Sequence, residues 1–126
     1  MRVCALVVDD CEATREGLVR LLQNAGFDAV PAANGAEALA YLQAGNLAHV
    51  IVLDAVMPVM DGWSFRRAQI SDPWIADIPV VALSGVATRA ARGLHATATF
   101  RKPVDIPSLI DTLRWIGHRA KDRRAR

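Results

Sequence analysis

The sequence predicts an α/β domain, a doubly wound sheet of five parallel strands in the order 2-1-3-4-5 with a helix after each strand. Three observations carry this expectation. Apolar runs with strand character alternate with segments of helical periodicity along the whole chain. Three of the runs, Val3–Val8, Val50–Leu53 and Ile78–Leu83, are apolar throughout, as strands buried on both faces require. The run Phe27–Ala32 contains Pro31, which has no ladder donor and so puts the second strand at an edge.

The elements follow in order. After Val3–Val8, Asp10 can cap a helix from about Cys11 to Ala25, with Leu18, Leu21, Leu22 and Ala25 at helical spacing and Gly26 as its stop. After the edge strand, Asn34 and Glu37 are spaced as an N-cap and its N3 partner, opening a helix that closes near Gly45. Val50–Leu53 ends at Asp54, and a loop with Pro58 and Gly62 leads to a helix around Ser64–Ser71. Ile78–Leu83, with Pro79 near its start, ends at Ser84. A short, weak helix is expected within Ala87–Gly93, and Thr97–Arg101 is a β-branched fifth strand. Asp105 can cap the last helix, whose Leu109, Ile110, Leu113 and Ile116 face the core.

Composition narrows the function classes. The chain has 126 residues, 52% hydrophobic and 22% charged, which fits one folded domain and no disordered chain. Its apolar stretches run to about six residues, against the roughly 18 a membrane span needs. Asp9 and Asp10 interrupt the N-terminal apolar run too early for a signal peptide. Cys4 and Cys11 make no disulfide framework, and no Cys/His pair has zinc spacing, so a cytoplasmic protein with reduced thiols is expected. The net charge of +2 is uneven: residues 119–126 hold five basic residues and one acid, a net +4, which leaves −2 on residues 1–118. We therefore read 1–118 as the domain and 119–126 as a basic tail, and expect no general affinity for nucleic acid.

The strand ends carry the chemistry. Asp9 and Asp10 end the first strand, Asp54 the third, Ser84 the fourth and Lys102 the fifth, followed by Pro103. In an open parallel sheet these ends meet at the crevice beside the topological switch point, between strands 1 and 3. Two carboxylates about 5 Å apart repel by roughly 3 kcal/mol at an effective dielectric of about 20. A hard divalent cation relieves this, and Mg²⁺ suits one or two carboxylates, water and a phosphate oxygen. Lys102 and Ser84 can meet an incoming phosphoryl group, and a carboxylate beside the ion can attack phosphorus.

With these residues in place, the chain resembles a response-regulator receiver domain of the CheY type, the phosphoacceptor module of two-component signalling. The resemblance covers about residues 3–117 and rests on VVDD (7–10), LDAVMPVMDG (53–62), VVALSG (80–85) and KP (102–103) at consecutive strand ends. It implies a flavodoxin-like (βα)₅ fold and a phosphorelay role. On that resemblance Asp54 would accept a phosphoryl group from a histidine kinase or phosphotransfer protein. Asp9, Asp10, Asp54 and the Val56 carbonyl would hold Mg²⁺. Lys102 would contact the phosphoryl group, Ser84 would move to bind it, and Gly85 would leave it accessible. The Lys102–Pro103 peptide would be cis. The implied partners are that donor and a downstream protein target, with a homodimer possible and no membrane insertion. Self-phosphotransfer and slow autodephosphorylation are the only reactions implied. With a Met1 start and a finished last helix, a single-domain regulator or shuttle is favoured over a fragment of a longer protein.

The chain departs from the family pattern in places. The aromatic residue common three positions before the lysine is Thr99 here, and Phe100, next to it, falls in the core-facing phase. The stretch from Ser84 to Lys102 is several residues shorter than usual and contains Gly93, so the helix within it should be short or frayed. Val56 and Val86, two residues after Asp54 and Ser84, cannot orient water by hydrogen bonding, which predicts a long-lived phosphorylated state.

Two other classes compete. A Mg²⁺-dependent phosphohydrolase with an aspartyl nucleophile would want an acid two residues after Asp54, where Val56 stands. A phosphorylation-independent scaffold would not need the complete acid, serine and lysine set. His49, His95 and His118 are isolated and are expected at the surface or at strand edges. Cys4 reads as a small buried hydrophobe, and Trp115 as a partly exposed side chain that could meet a protein partner.

Overall fold

The computed structural model describes residues 2–55, 60–85 and 94–124. Strands β1 (Cys4–Val8), β2 (Asp28–Ala32), β3 (Val50–Asp54), β4 (Val80–Ser84) and β5 (Ala98–Arg101) form one sheet, with helices α1 (Glu12–Asn24), α2 (Gly35–Gln43), α3 (Gly62–Ile70) and α4 (Ile106–Arg124). The order is β2-β1-β3-β4-β5, and every pairing is parallel. Pro31 lies in β2 on the sheet edge, where its missing N–H costs no ladder bond.

Alternation along the strands divides the core. Ala5, Val7, Val50, Val52, Val81 and Leu83 pack with Leu18 and Leu22 of α1 and with Leu109, Leu113 and Ile116 of α4. Leu6, Val8, Ile51, Leu53 and Val80 pack on the other face with α2 and with Phe65 of α3. Both faces are covered, so the central strands β3 and β4 are buried along their whole length.

Several local expectations need correction. Asp10 does not cap α1: Cys11 is the N-cap, without a side-chain capping bond, and the Cys11 N–H donates to Asp9 Oδ1 at 2.9 Å. The carboxylate next to the cap has taken the turn's donor. Leu21 shares the helical spacing but is exposed. His49 is a core residue, 2% exposed, whose Nδ1 accepts the Cys4 N–H at 2.9 Å while its own N–H donates to the Cys4 carbonyl. Its ring extends the ladder just ahead of β3. Asn34 does cap α2, accepting the Glu37 N–H at 2.8 Å. Asp61 caps α3 in the same way through Ser64, and the bond from Ser64 holds its carboxyl below the usual carboxylate range. The expected helix within Ala87–Gly93 lies outside the described residues. The basic residues from Arg119 continue α4, and Ala120 is buried. Among the described residues no helix is long and apolar enough to cross a membrane.

Candidate functional site

Register brings the polar strand ends level. Val8 pairs with Leu53 across β1 and β3, so Asp9 and Asp54 follow side by side. Asp54 pairs with Leu83, and Ser84 pairs with Arg101, which sets Ser84 and Lys102 one step further out. Main-chain bonds lace these ends together: Asp9 N–H to the Ala32 carbonyl at 3.1 Å, Ala55 N–H to Leu83 at 3.1 Å and Lys102 N–H to Ser84 at 3.0 Å. A second loop closes on the site where the Gly62 N–H donates to the Ala55 carbonyl at 2.9 Å. A Cβ at Gly62 would stand 3.0 Å from the Ala55 Cα, so this approach of backbone to backbone requires glycine.

The result is an acidic pocket. One carboxylate oxygen from each of Asp9, Asp10 and Asp54 lies within 4.8 Å of the others. Asp9 and Asp54 are buried and Asp10 is exposed, so the cluster opens to solvent on one side. Lys102 Nζ stands 3.2 Å from Asp54 Oδ1. Asp9 Oδ1 holds the Cys11 N–H, whereas Asp9 Oδ2 is buried with no hydrogen-bond partner among the described residues. A buried, unpartnered carboxylate oxygen is costly in a protein interior. Three convergent carboxylates with an orphaned oxygen among them form a hard-oxygen donor set, so this pocket could bind a metal ion.

Each expected site residue can now be placed. Asp9, Asp10, Asp54 and Lys102 converge. Ser84 is buried at the end of β4, at the same edge. Val56 and Val86 lie outside the described residues. The Lys102–Pro103 peptide is cis. Thr99 is exposed, and Phe100 is partly buried against the core, so the position three residues before the lysine carries no aromatic ring. Sequence spacing did not single out Arg15, whose Nη1 donates to the Asp9 carbonyl at 2.9 Å and brings a positive charge to the turn that carries the acids. Its signal was an arginine on the first turns of the helix that leaves the acidic pair.

A family profile for the response regulator receiver domain matches residues 5–114. The chain belongs to that family. Sensor kinase CckA of Brucella abortus is 38% identical to this receiver over 115 residues, which is 86% of this chain and 12% of CckA. Response regulator PleD of Caulobacter vibrioides is 38% identical over 104 residues, covering 79% of this chain and 23% of PleD. The receiver thus spans only a small part of the length of these relatives. Chemotaxis protein CheY4 of Vibrio cholerae has the same fold, with a TM-score of 0.84 and 30% identity over 92% of this chain and 99% of that one. The acidic pocket lies at the switch point of a fold shared with CheY-like receivers, and the chain is a receiver of the two-component signalling type.

Proposed function

We propose that this receiver is a phosphoacceptor, with Asp54 taking a phosphoryl group from a histidine kinase or a phosphotransfer protein. The observation that carries the reading is the orphaned Oδ2 of Asp9 inside a three-carboxylate pocket faced by Lys102. Asp9, Asp10 and Asp54 would hold Mg²⁺, joined by the Val56 carbonyl. When bound there, Mg²⁺ supplies neutralisation of charge on the transferring phosphoryl oxygens. An Asp54 carboxylate oxygen attacks phosphorus, a P–O bond forms and the donor's P–N bond breaks, with its electron pair returning to the donor imidazole. Lys102 Nζ draws one phosphoryl oxygen by its charge, and the Ser84 hydroxyl donates to another. Drawing Ser84 toward the acyl phosphate shifts the end of β4, and that shift changes affinity for a downstream protein.

The test is intact mass after incubation with acetyl phosphate and Mg²⁺. The wild-type chain should gain one phosphoryl group and Asp54→Ala none. Equal labelling of the two would remove the proposal. A generic phosphate ester should not be turned over repeatedly.

A further inference from the structure

At the pole opposite the acidic pocket, the N-terminal ends of β4 and β5 meet the last turns of α4. Two shallow depressions lie there, of about 290 and about 300 Å³. They share Asp77, Ile78, Pro79 and Arg123. Trp115 lines one and Trp74 the other. These tryptophans are the most exposed large apolar side chains among the described residues, Trp74 at 88% and Trp115 at 64%. A single exposed aromatic side chain is ordinary, but here two flank adjoining depressions that share a floor of Ile78 and Pro79.

The exposure is built, and not a consequence of a loose loop. Gln69, fully buried, donates to the carbonyls of both Ile75 and Ile78 at 2.9 Å, which pins the segment that carries Trp74. The Trp74 N–H donates to Asp72 Oδ1 at 3.0 Å. On α4, the Arg119 guanidinium lies over the Trp115 ring, 4.8 Å from its centroid. Arg119 thus holds the Trp115 ring in place, and the Trp74 side chain stands on a fixed backbone; pre-positioned aromatic groups lose less entropy on binding.

The charge of the surface selects the occupant. Arg66, Arg119 and Arg123 line the first depression against the single acid Asp77 among the described lining residues. Cations in the last turns of α4 also suit the helix macrodipole, which explains their sign but not the tryptophans beside them. An apolar floor of Ile78 and Pro79 between arginines fits a side chain flanked by carboxylates. The small depressions and the aspartate in them fit a nucleic-acid backbone poorly.

We infer that this pole is a docking site for an acidic protein segment bearing a bulky apolar side chain, seated between Trp74 and Trp115 and held by Arg119 and Arg123. It lies away from Asp54, so a partner can stay bound while the acidic pocket receives a phosphoryl group.

The experiment follows the three tryptophan indole N–H signals of the full chain by ¹⁵N NMR, with a blocked peptide of alternating glutamate and leucine as probe. The Trp74 and Trp115 signals should shift with saturation, and the Trp63 signal should stay. Arg119→Glu with Arg123→Glu should weaken binding by about tenfold or more through charge reversal. Trp74→Ala, at a side chain with no buried contact to lose, should weaken it too. Unchanged melting and unchanged Asp54 labelling verify the variants. Equal shifts with a lysine–leucine peptide or with oligothymidylate overturn the inference, as does the absence of any shift. Shifts that depend on protein concentration without peptide overturn it in favour of self-association.

Discussion

Lys102 Nζ lies 3.2 Å from Asp54 Oδ1, across two strand ends that are 48 residues apart in the chain. The carboxylate is nearly buried and the ammonium is partly open to solvent. The lysine therefore compensates Asp54 while keeping an open face toward an arriving anion. A charge-assisted hydrogen bond is worth about 1.5–3 kcal/mol, which corresponds to roughly ten- to a hundredfold in rate. Lys102→Ala should slow acetyl-phosphate labelling of Asp54 by about that factor, and it should also lower the melting temperature of the metal-free protein, because Asp54 loses its compensating charge. A labelling rate within about twofold of wild type would show that the lysine does not act on the phosphoryl group.

Asp9 presents the opposite balance. Its Oδ2 is buried without a partner beside two other carboxylates. Replacing it by asparagine removes a repulsive charge while keeping an acceptor for the Cys11 N–H. Asp9→Asn should stabilise the metal-free protein by about 1–3 kcal/mol. It should also abolish most of the rise in melting temperature that Mg²⁺ gives the wild type. Thermal melts with and without MgCl₂ check both, and destabilisation of the metal-free variant would contradict the account.

Gln69 illustrates a buried polar group that is fully used. Its amide donates to Ile75 and Ile78, and its Oε1 accepts from Arg66 Nη1 at 2.6 Å. The same arginine reaches the carbonyls of Leu94 and His95 at 2.8 and 2.9 Å, joining α3 to the entry of β5. Gln69→Leu fits the volume but strands two buried carbonyls. Its cost should be about 2–4 kcal/mol, read as a lower urea midpoint at constant slope. An unchanged midpoint would mean that these carbonyls find other partners.

Gly117 of α4 faces Val3, the residue just before β1. A Cβ there would fall 2.3 Å from Val3 Cγ1. Alanine gains about 1 kcal/mol of helix propensity, while overpacking costs about 1–3 kcal/mol. Since Val3 is itself buried and cannot swing away, overpacking should win, and Gly117→Ala should be net destabilising by up to about 2 kcal/mol. In a Val3→Ala background the penalty should vanish, and a double-mutant cycle measures this directly.

The two thiols should behave differently. Cys11 is exposed, and the Thr14 hydroxyl donating to its sulfur lowers its pKa. Cys4 is half-buried, and burial, reinforced by the negative charge of Asp28, raises its pKa above the ordinary 9.0. A disulfide reagent near pH 8 should react in two phases, and Cys11→Ser should remove the fast one. For Cys4 the sign follows from the raised value. The folded state favours the neutral thiol, so its contribution to stability is complete below the unfolded value of 9.0 and is lost as pH rises through the higher folded value. Cys4→Ala should flatten stability between pH 9 and the alkaline limit. A wild-type curve that rises there would reverse the assignment.

Short-range chemistry made much of this protein legible in its sequence. The wholly apolar runs at Val50–Leu53 and Ile78–Leu83 had to be central strands, because only burial on both faces accommodates them. Pro31 had to lie on an edge, because it cannot donate to a neighbour. The polar residues that end these runs marked the strand tips for the same reason: apolar periodicity stops where solvent begins. Other features arise between segments that are remote in sequence. His49 looks like a surface residue until Cys4, 45 positions away, offers it a backbone donor. Arg15 and Gln69 acquire their roles from carbonyls that only the folded chain puts within reach. Trp74 and Trp115 share a surface because the loop before β4 meets the end of α4. Periodicity reports which side of an element faces the core. The identity of the partner across the gap is set by register and packing, and those exist only once the sheet has closed.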